Sequence, residues 1–274
     1  MVTAADRAKG PARASVWLGG KATRTRRTDQ PAGLDLDKIT AATVRLLDSE
    51  GLAKFSMRRL AAELGVTAMS VYWYVDTKDD LLELALDAVM GELVLPGTVD
   101  GAETGTGTET GTETEPDGTE AGSDWRIQLR RLAAGYRSVL VRHPWVSPLV
   151  GVFLNIGPHA LKFAAVSQEV MRSADLPLRG QTGGLAAVFQ FVYGFGTVEG
   201  HFRDRCARAG MTQDEYHQHA MGGMSEQPSL RRTFEQAQDL MAARGGDTVE
   251  EMRERDFDFA LDLLIAGIEA KRGA

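Results

Sequence analysis

Between residues 56 and 78 the chain reads Ser-Met-Arg-Arg-Leu-Ala-Ala-Glu-Leu-Gly-Val-Thr-Ala-Met-Ser-Val-Tyr-Trp-Tyr-Val-Asp-Thr-Lys. The rings of Tyr72, Trp73 and Tyr74 are consecutive, Lys78 follows them, and Arg58 precedes them. Phenolic hydroxyls and cations so grouped bond phosphate oxygens, and side chains as small as Ala68 and Ser70 let a backbone approach base edges. Val71 and Val75 can face inward, which leaves Ala68, Met69, Ser70, Tyr72, Trp73 and Tyr74 to share an outer surface. Exposed rings imply a partner. The competing expectation is that Tyr72 and Trp73 pack on a neighbouring helix of a small bundle.

Two short helices must carry these groups. Ser56 can N-cap the first, whose apolar side is Met57, Leu60, Ala61 and Leu64 at helical spacing. Gly65 stops it, because a sharp turn needs a residue that takes positive φ without steric cost. Thr67 restarts the chain as the next N-cap. This is the layout of a helix-turn-helix. Upstream, Asp35 caps a helix with the stripe Leu36, Ile39, Ala42, Thr43, Leu46 and Leu47, ended by Gly51. Downstream, Thr77 and Asp80 form a capping box that opens a fourth helix through Leu81, Leu82, Ala85, Ala88, Val89 and Leu93. Lys78 lies in its first turn, against the helix dipole, as a cation serving an external phosphate would.

From Leu34 to about Leu95 the chain resembles the tetracycline-repressor-like (TetR/AcrR) family of bacterial transcriptional regulators. The residues that carry the likeness are Met57-Arg58-Arg59-Leu60-Ala61, Gly65-Val66, Val71-Tyr72-Trp73-Tyr74-Val75 and Lys78-Asp79-Asp80-Leu81-Leu82. The resemblance implies that Arg58 contacts the DNA backbone, that Ala68, Met69 and Ser70 face bases beside the capping Thr67, and that Tyr72, Trp73 and Lys78 hold phosphates. The stretch from Asp256 to Glu269 looks like the closing dimerisation helix of the family. The founding member binds a magnesium-tetracycline complex partly through a histidine at the end of the fourth helix. In this chain Glu92-Leu93-Val94 stands there. The expected effector is therefore apolar or aromatic, with Tyr136, Trp145, Phe153, Phe163, Phe189 and Tyr193 as candidate pocket residues.

The chain has 274 residues, room for two domains, and its 43% hydrophobic and 25% charged content is that of an ordinary globular protein. No apolar stretch is long enough to cross a bilayer. One cysteine, Cys206, excludes an intramolecular disulfide, and no secretory segment is legible, so a cytoplasmic location is expected. The net charge of -7 is unevenly spread. Residues 1–34 hold seven Lys or Arg against two Asp or Glu, while residues 96–124 hold eight acids and no base. The first segment, with Lys21, Arg24, Arg26 and Arg27, is expected to be a flexible basic arm able to lie on phosphates. The second repeats a Gly-Thr-Glu theme with almost no apolar side chain, and is expected to be a disordered acidic linker.

The expected domains are therefore the arm 1–34, the DNA-binding head with its fourth helix at 35–95, the linker 96–124, and an effector-binding and dimerisation body at 125–274. In the body, Trp125 to Leu140 has helical period and ends at His143-Pro144. Pro158 opens a helix through Val170 and Met171. Gly180 to Arg208 is apolar nearly all round and interspersed with Gly183, Gly184, Gly194, Gly196 and Gly200, so one face is expected in the core and the other on a second subunit, with glycines permitting close approach. Val249 to Lys271 supplies its partner through Phe257, Leu261, Leu264 and Ile268, with Phe259, Leu263 and Ala266 on a second stripe.

Reaction chemistry finds little support. Glu199, His201 and Asp204 cluster in sequence, but Glu199 and His201 are only two apart, and Glu199 with Arg203 reads as a surface ion pair at least as readily as Glu199 with His201 reads as a metal site. His217 and His219 would point about 200 degrees apart on a helix. There is no Gly-x-Ser-x-Gly, Walker loop, paired cysteine or His-Glu-x-x-His. No catalytic residue, metal or cofactor is expected. The reading is an all-α homodimeric regulator with a three-helix head, a double-stranded DNA operator, a small-molecule effector and no membrane association. Two other classes remain open: a helical small-molecule-binding protein without sequence-specific DNA reading, and an all-α enzyme using His143 or His201.

Overall fold

The caps expected from single side chains form. The computed structural model describes residues 15–18, 33–96 and 124–272; within them every regular element is helical. Helix α1 spans Leu36–Glu50, and the Asp35 carboxylate accepts from the Lys38 N–H at 2.8 Å. Helix α2 is Met57–Glu63 with Ser56 at its N-cap, and Gly65 makes the turn at φ 66°. Helix α3, Ala68–Tyr72, starts at Thr67, whose hydroxyl accepts from the Ser70 N–H. Helix α4, Lys78–Met90, opens on the full Thr77–Asp80 capping box. A cap of this kind contributes about 0.5–2 kcal/mol, a large share for helices of two turns or fewer.

By packing the chain divides into two compact units, residues 1–93 with 145–165, and 94–144 with 166–274. In the first, α4 packs on α1, and α2 packs on α1 and α3. Ile39, Leu47, Leu60, Val71 and Leu81 are fully buried there, each contributing about 1.5–3 kcal/mol. Helix α6, Ser147–Val150, and the first half of helix α7, Pro158–Arg172, belong to this unit. Trp145 is buried and its indole N–H donates to Asp48 of α1 at 2.7 Å, a tie that no periodicity announces.

The expectation of an unstructured arm does not extend to Ser15–Leu18. Val16–Leu18 form a single 3-10 turn that contacts α4. Ser15 and Val16 are buried there, and the Ser15 hydroxyl donates to the Glu83 carboxylate. Lys21 to Arg27, and residues 97–123 of the acidic segment, lie outside the described residues.

The second unit is built on α5, Trp125–Arg142, packed along α8, Leu178–Arg208. Helices α9, Gln213–Glu226, α10, Pro228–Arg244, and α11, Val249–Glu269, complete it. The buried stripe of α11 is Phe257, Leu261, Ile265 and Ile268, so Ile265 takes the place expected of Leu264. Phe259 and Leu263 are 68% and 60% exposed. Across α5 and α8, the Arg137 guanidinium holds Glu199 through two bonds of 2.7 and 3.2 Å, bonds Glu254 at 2.5 Å, and lies over the Phe257 ring. Burial opposes the Arg137 charge, but the carboxylates hold its pKa above the usual value. The expected surface pairing of Glu199 with Arg203 is corrected by this: Glu199 faces inward because α8 approaches α5 closely enough for Arg137 to reach it.

Glycines make that approach possible, and they divide by face. A Cβ at Gly200 would lie 2.7 Å from the Leu140 carbonyl oxygen, and one at Gly196 would lie 3.0 Å from the Leu140 Cβ. Close approach therefore serves the chain's own core at Gly184, Gly196 and Gly200, whereas Gly183 and Gly194 face open space. Gly200→Ala should lower unfolding free energy by about 1–3 kcal/mol through overpacking. Gly223→Ala, in α9 with nothing near its Cβ, should raise it by up to about 1 kcal/mol by removing a helix-interior glycine. Urea melts that showed the same sign for both would contradict the close packing of α8 on α5.

Candidate nucleic-acid interface and effector site

Helix α3 has only five residues, and the side chains that hold it are few. Val71 is buried beneath it and Val75 just beyond, at 0% and 1% exposure. The remaining side chains are turned outward: Met69 is 68% exposed, Trp73 52% and Tyr72 42%. Packing of Tyr72 and Trp73 into the bundle, the competing expectation, is not what the fold does. Thr67 is exposed at the N-terminus of α3, with Ala68 and Ser70 half-buried beside it. The Thr67 and Ser70 hydroxyls share a hydrogen bond of 2.9 Å, which orders the end that presents small side chains.

The two adjacent arginines of α2 do different work. Arg59 donates to Glu50 of α1 at 2.7 Å and pairs with Glu63, so it ties the first two helices together. Its hydrogen bond to Glu50, then the carboxylate's charge, raises its pKa. Arg58 is exposed. Lys78 is half-buried, with its ammonium 5.5 Å from the centre of the Phe55 ring. That cation–π contact is worth roughly 0.5–1 kcal/mol and offsets the unfavourable dipole, so the position of Lys78 has an intramolecular reason.

The expected outward placement of Tyr74 is corrected by the fold. Its hydroxyl donates to the Leu34 carbonyl at 2.6 Å, which fixes the entry to α1. Two residues past Tyr72 on a helical path a side chain points almost the opposite way, so Tyr74 turns into the head while Tyr72 leaves it.

Of the six effector-pocket candidates, the structure brings three together within the second unit. Tyr136 of α5 is buried and meets Phe189 of α8 edge-on at 6.0 Å between ring centres, and Tyr193 lies one turn along the same face as Phe189. Burial, and then the neighbouring Tyr193, push the Tyr136 pKa up to about 12. Trp145, Phe153 and Phe163 belong to the first unit. Trp145 is bonded there to Asp48, and Phe153 and Phe163 are half-buried. A separate cleft of about 330 Å³ opens between α8, α9 and α11, lined by Glu199, Arg203, Cys206, Gln213 and Glu250 among others. None of the six aromatic candidates lines it. Asp204, close to His201 in sequence, pairs instead with Arg208 at 2.9 Å.

Among the described residues no cluster of three metal-binding side chains occurs, and no helix is long and apolar enough to cross a membrane.

Comparison with known proteins agrees with this geometry. Residues 39–85 match the family model described as bacterial regulatory proteins, tetR family. Residues 116–272 match the model for the tetracyclin repressor-like C-terminal domain. An HTH-type transcriptional regulator from Saccharopolyspora erythraea is 34% identical over 245 residues, 88% of this chain and 86% of that one. The HTH-type transcriptional repressor DrrR1 of Streptomyces coeruleorubidus is 28% identical over 93% of this chain and 83% of its own. The crystal structure of the Streptomyces coelicolor TetR family protein ActR in complex with actinorhodin shares the fold, with a TM-score of 0.61 and 23% identity over 89% of this chain and 100% of that one. A helix-turn-helix head with an outward-facing α3, joined to a matching helical body, places this chain in the tetR family of bacterial DNA-binding transcriptional regulators.

Proposed function

We propose that the protein is a homodimeric repressor that leaves its operator when an aromatic small molecule enters the body. The observation that carries the DNA half is the exposure of Met69, Tyr72 and Trp73 on a helix whose only buried anchor is Val71. Rings so placed cost solubility unless a partner covers them. Ala68, Met69 and Ser70 at the N-terminal end of α3 would read base edges. Arg58, Tyr72, Trp73 and Lys78, with the exposed Thr67, would bond the flanking phosphates.

The effector half is supported by the cluster of buried Tyr136 with half-buried Phe189 and Tyr193, which offers edge-on and stacking surfaces with two phenolic groups. The binding of actinorhodin by ActR, a protein of the same fold, supports the same ligand class. Trp145 would act through the fold of the first unit, and Phe153 and Phe163 would contact ligand only from that unit. Release from DNA requires that the effector bind one conformation better than the other; equal affinity would shift nothing. The repressor assignment draws on DrrR1, which is named a repressor.

Dimerisation is supported by apolar side chains left exposed among the described residues: Val198 on α8 at 69% exposure, and Phe259 and Leu263 on α11. Paired copies of these two helices would form a four-helix interface. A double substitution, Phe259→Asp with Leu263→Asp, should convert the dimer to monomer in analytical ultracentrifugation while circular dichroism keeps its helical signal. An unchanged sedimentation coefficient would remove α11 from the interface.

Two identical heads related by a two-fold axis should protect a near-palindromic site whose half-sites lie roughly 34 Å or a little more apart. Footprinting upstream of the protein's own and neighbouring genes tests this, and no discrete protection at physiological salt would refute the operator assignment. Tyr72→Ala and Lys78→Ala should weaken binding to all duplexes alike. Replacing Ser70 by Gln should instead change the preferred base at one position, with about 1–3 kcal/mol of discrimination. A binding-site selection in which Tyr72→Ala altered base preference while nonspecific affinity held would reverse these roles.

A further inference from the structure

In the major groove a base pair is told from the others by its hydrogen-bonding edges and by one apolar group, the C5-methyl of thymine. Edges are read by Arg or Lys on guanine, Asn or Gln on adenine, and Asp or Glu on cytosine. From Thr67 to Val75, the whole of α3 with its flanks, the chain has none of these six residue types. The hydroxyls there are already engaged within the head. Thr67 accepts from the Ser70 N–H at 3.2 Å and shares a hydrogen bond of 2.9 Å with the Ser70 hydroxyl, while Tyr74 donates to the Leu34 carbonyl. A serine or threonine hydroxyl both donates and accepts, so it bonds either kind of edge and selects weakly.

What the first turn of α3 offers instead is apolar. Met69 is 68% exposed, and its neighbours Ala68 and Ser70 are short and half-buried. The thioether is therefore the longest reach from that turn, and nothing polar beside it extends as far. Methionine is unbranched and polarizable, so it adapts its shape to a methyl group and asks for no hydrogen bond. The backbone that carries it is held from beneath by Val71, which is fully buried, so the adjustment is left to the side chain.

We infer that α3 selects thymine, through contact of the Met69 side chain with the C5-methyl group, and that this helix hydrogen-bonds no base edge in pairs. The inference rests on the regulator reading above and names the base that its recognition helix selects. Uracil differs from thymine by that methyl alone. Cytosine with a C5-methyl carries the same group on a base whose hydrogen-bonding edge is different. A reader of edges thus separates thymine from 5-methylcytosine, whereas a reader of the methyl separates thymine from uracil. Covering one methyl group with an apolar side chain gains roughly fourfold in affinity, and one in each of two half-sites roughly fifteenfold.

The experiment starts from a duplex recovered by the full-length protein from a random-sequence pool, in which thymines are then replaced by uracil in symmetric pairs, one per half-site. At one such pair or more, uracil should weaken wild-type binding by about fifteenfold. Met69→Ala should bind the thymine and uracil duplexes within about twofold of each other. Met69→Leu, which keeps an apolar side chain of similar size, should still separate them by about fivefold or more. At the same positions 5-methylcytosine should bind about fivefold or more tighter than cytosine. Met69 is exposed, so neither variant disturbs the core of the head. Losses under about twofold at every uracil pair, or a thymine preference undiminished in Met69→Ala, overturn the methyl reading and leave the operator in place. Recovery of no duplex from the pool overturns the operator reading, and the methyl reading falls with it.

Discussion

A helix of five residues does not persist unaided in water, since nucleating it fixes several dihedrals for very few hydrogen bonds. Helix α3 is that helix, and the rest of the head exists to hold it. Val71 is buried under it, Thr67 caps its start, and Gly65 takes the positive φ that lets α2 turn into it. The capping box of Thr77 and Asp80 then restarts the chain just after Val75. With the support confined to one buried valine and the chain on either side, Met69, Tyr72 and Trp73 stay exposed. A longer, better-buried helix would be more stable and would offer less to read with.

Charge is arranged to the same end. The head bears more acid than base, six Lys or Arg against eleven Asp or Glu over residues 35–95, a poor composition for a surface that binds phosphate. Much of the acid is engaged by partners within the fold. Asp80, Glu83 and Asp87 are buried in hydrogen bonds, Asp48 accepts from Trp145, and Glu50 and Glu63 are held by Arg59. Burial raises the pKa of Glu83 despite its bond to Ser15.

In the body the buried pair of Arg137 and Glu199, joined by the exposed Glu254, fixes how α5, α8 and α11 meet. A buried pair adds little net stability over apolar packing, but it makes alternative registers costly, because any slip leaves a charge without its partner. Gly196 and Gly200 bring the helices close enough for Arg137 to reach Glu199. The apolar residues left on the far faces, Val198, Phe259 and Leu263, are then a consequence of which side of each helix the core has already taken.

What the sequence alone determined was local. Caps at Asp35, Ser56, Thr67 and Thr77, the turn at Gly65 and the inward pair Val71 and Val75 each depend on a residue and its near neighbours in the chain, so residue type and spacing were sufficient to read them. The outward face of α3 followed from the same periodicity. Contacts between residues distant in sequence were decided only by the tertiary structure. Nothing in the run Tyr72-Trp73-Tyr74 tells which ring bonds Leu34, and nothing around Trp145 shows that its partner is Asp48, far back in α1. Asp87 reads as an ordinary surface acid of an amphipathic helix until the start of α7 is laid against it. Glycine spacing announced a close approach in α8 but not whether the approaching surface was α5 or another subunit. Periodicity assigns a side chain to a face of its own helix; which backbone or charge lies against that face is a property of the folded chain as a whole.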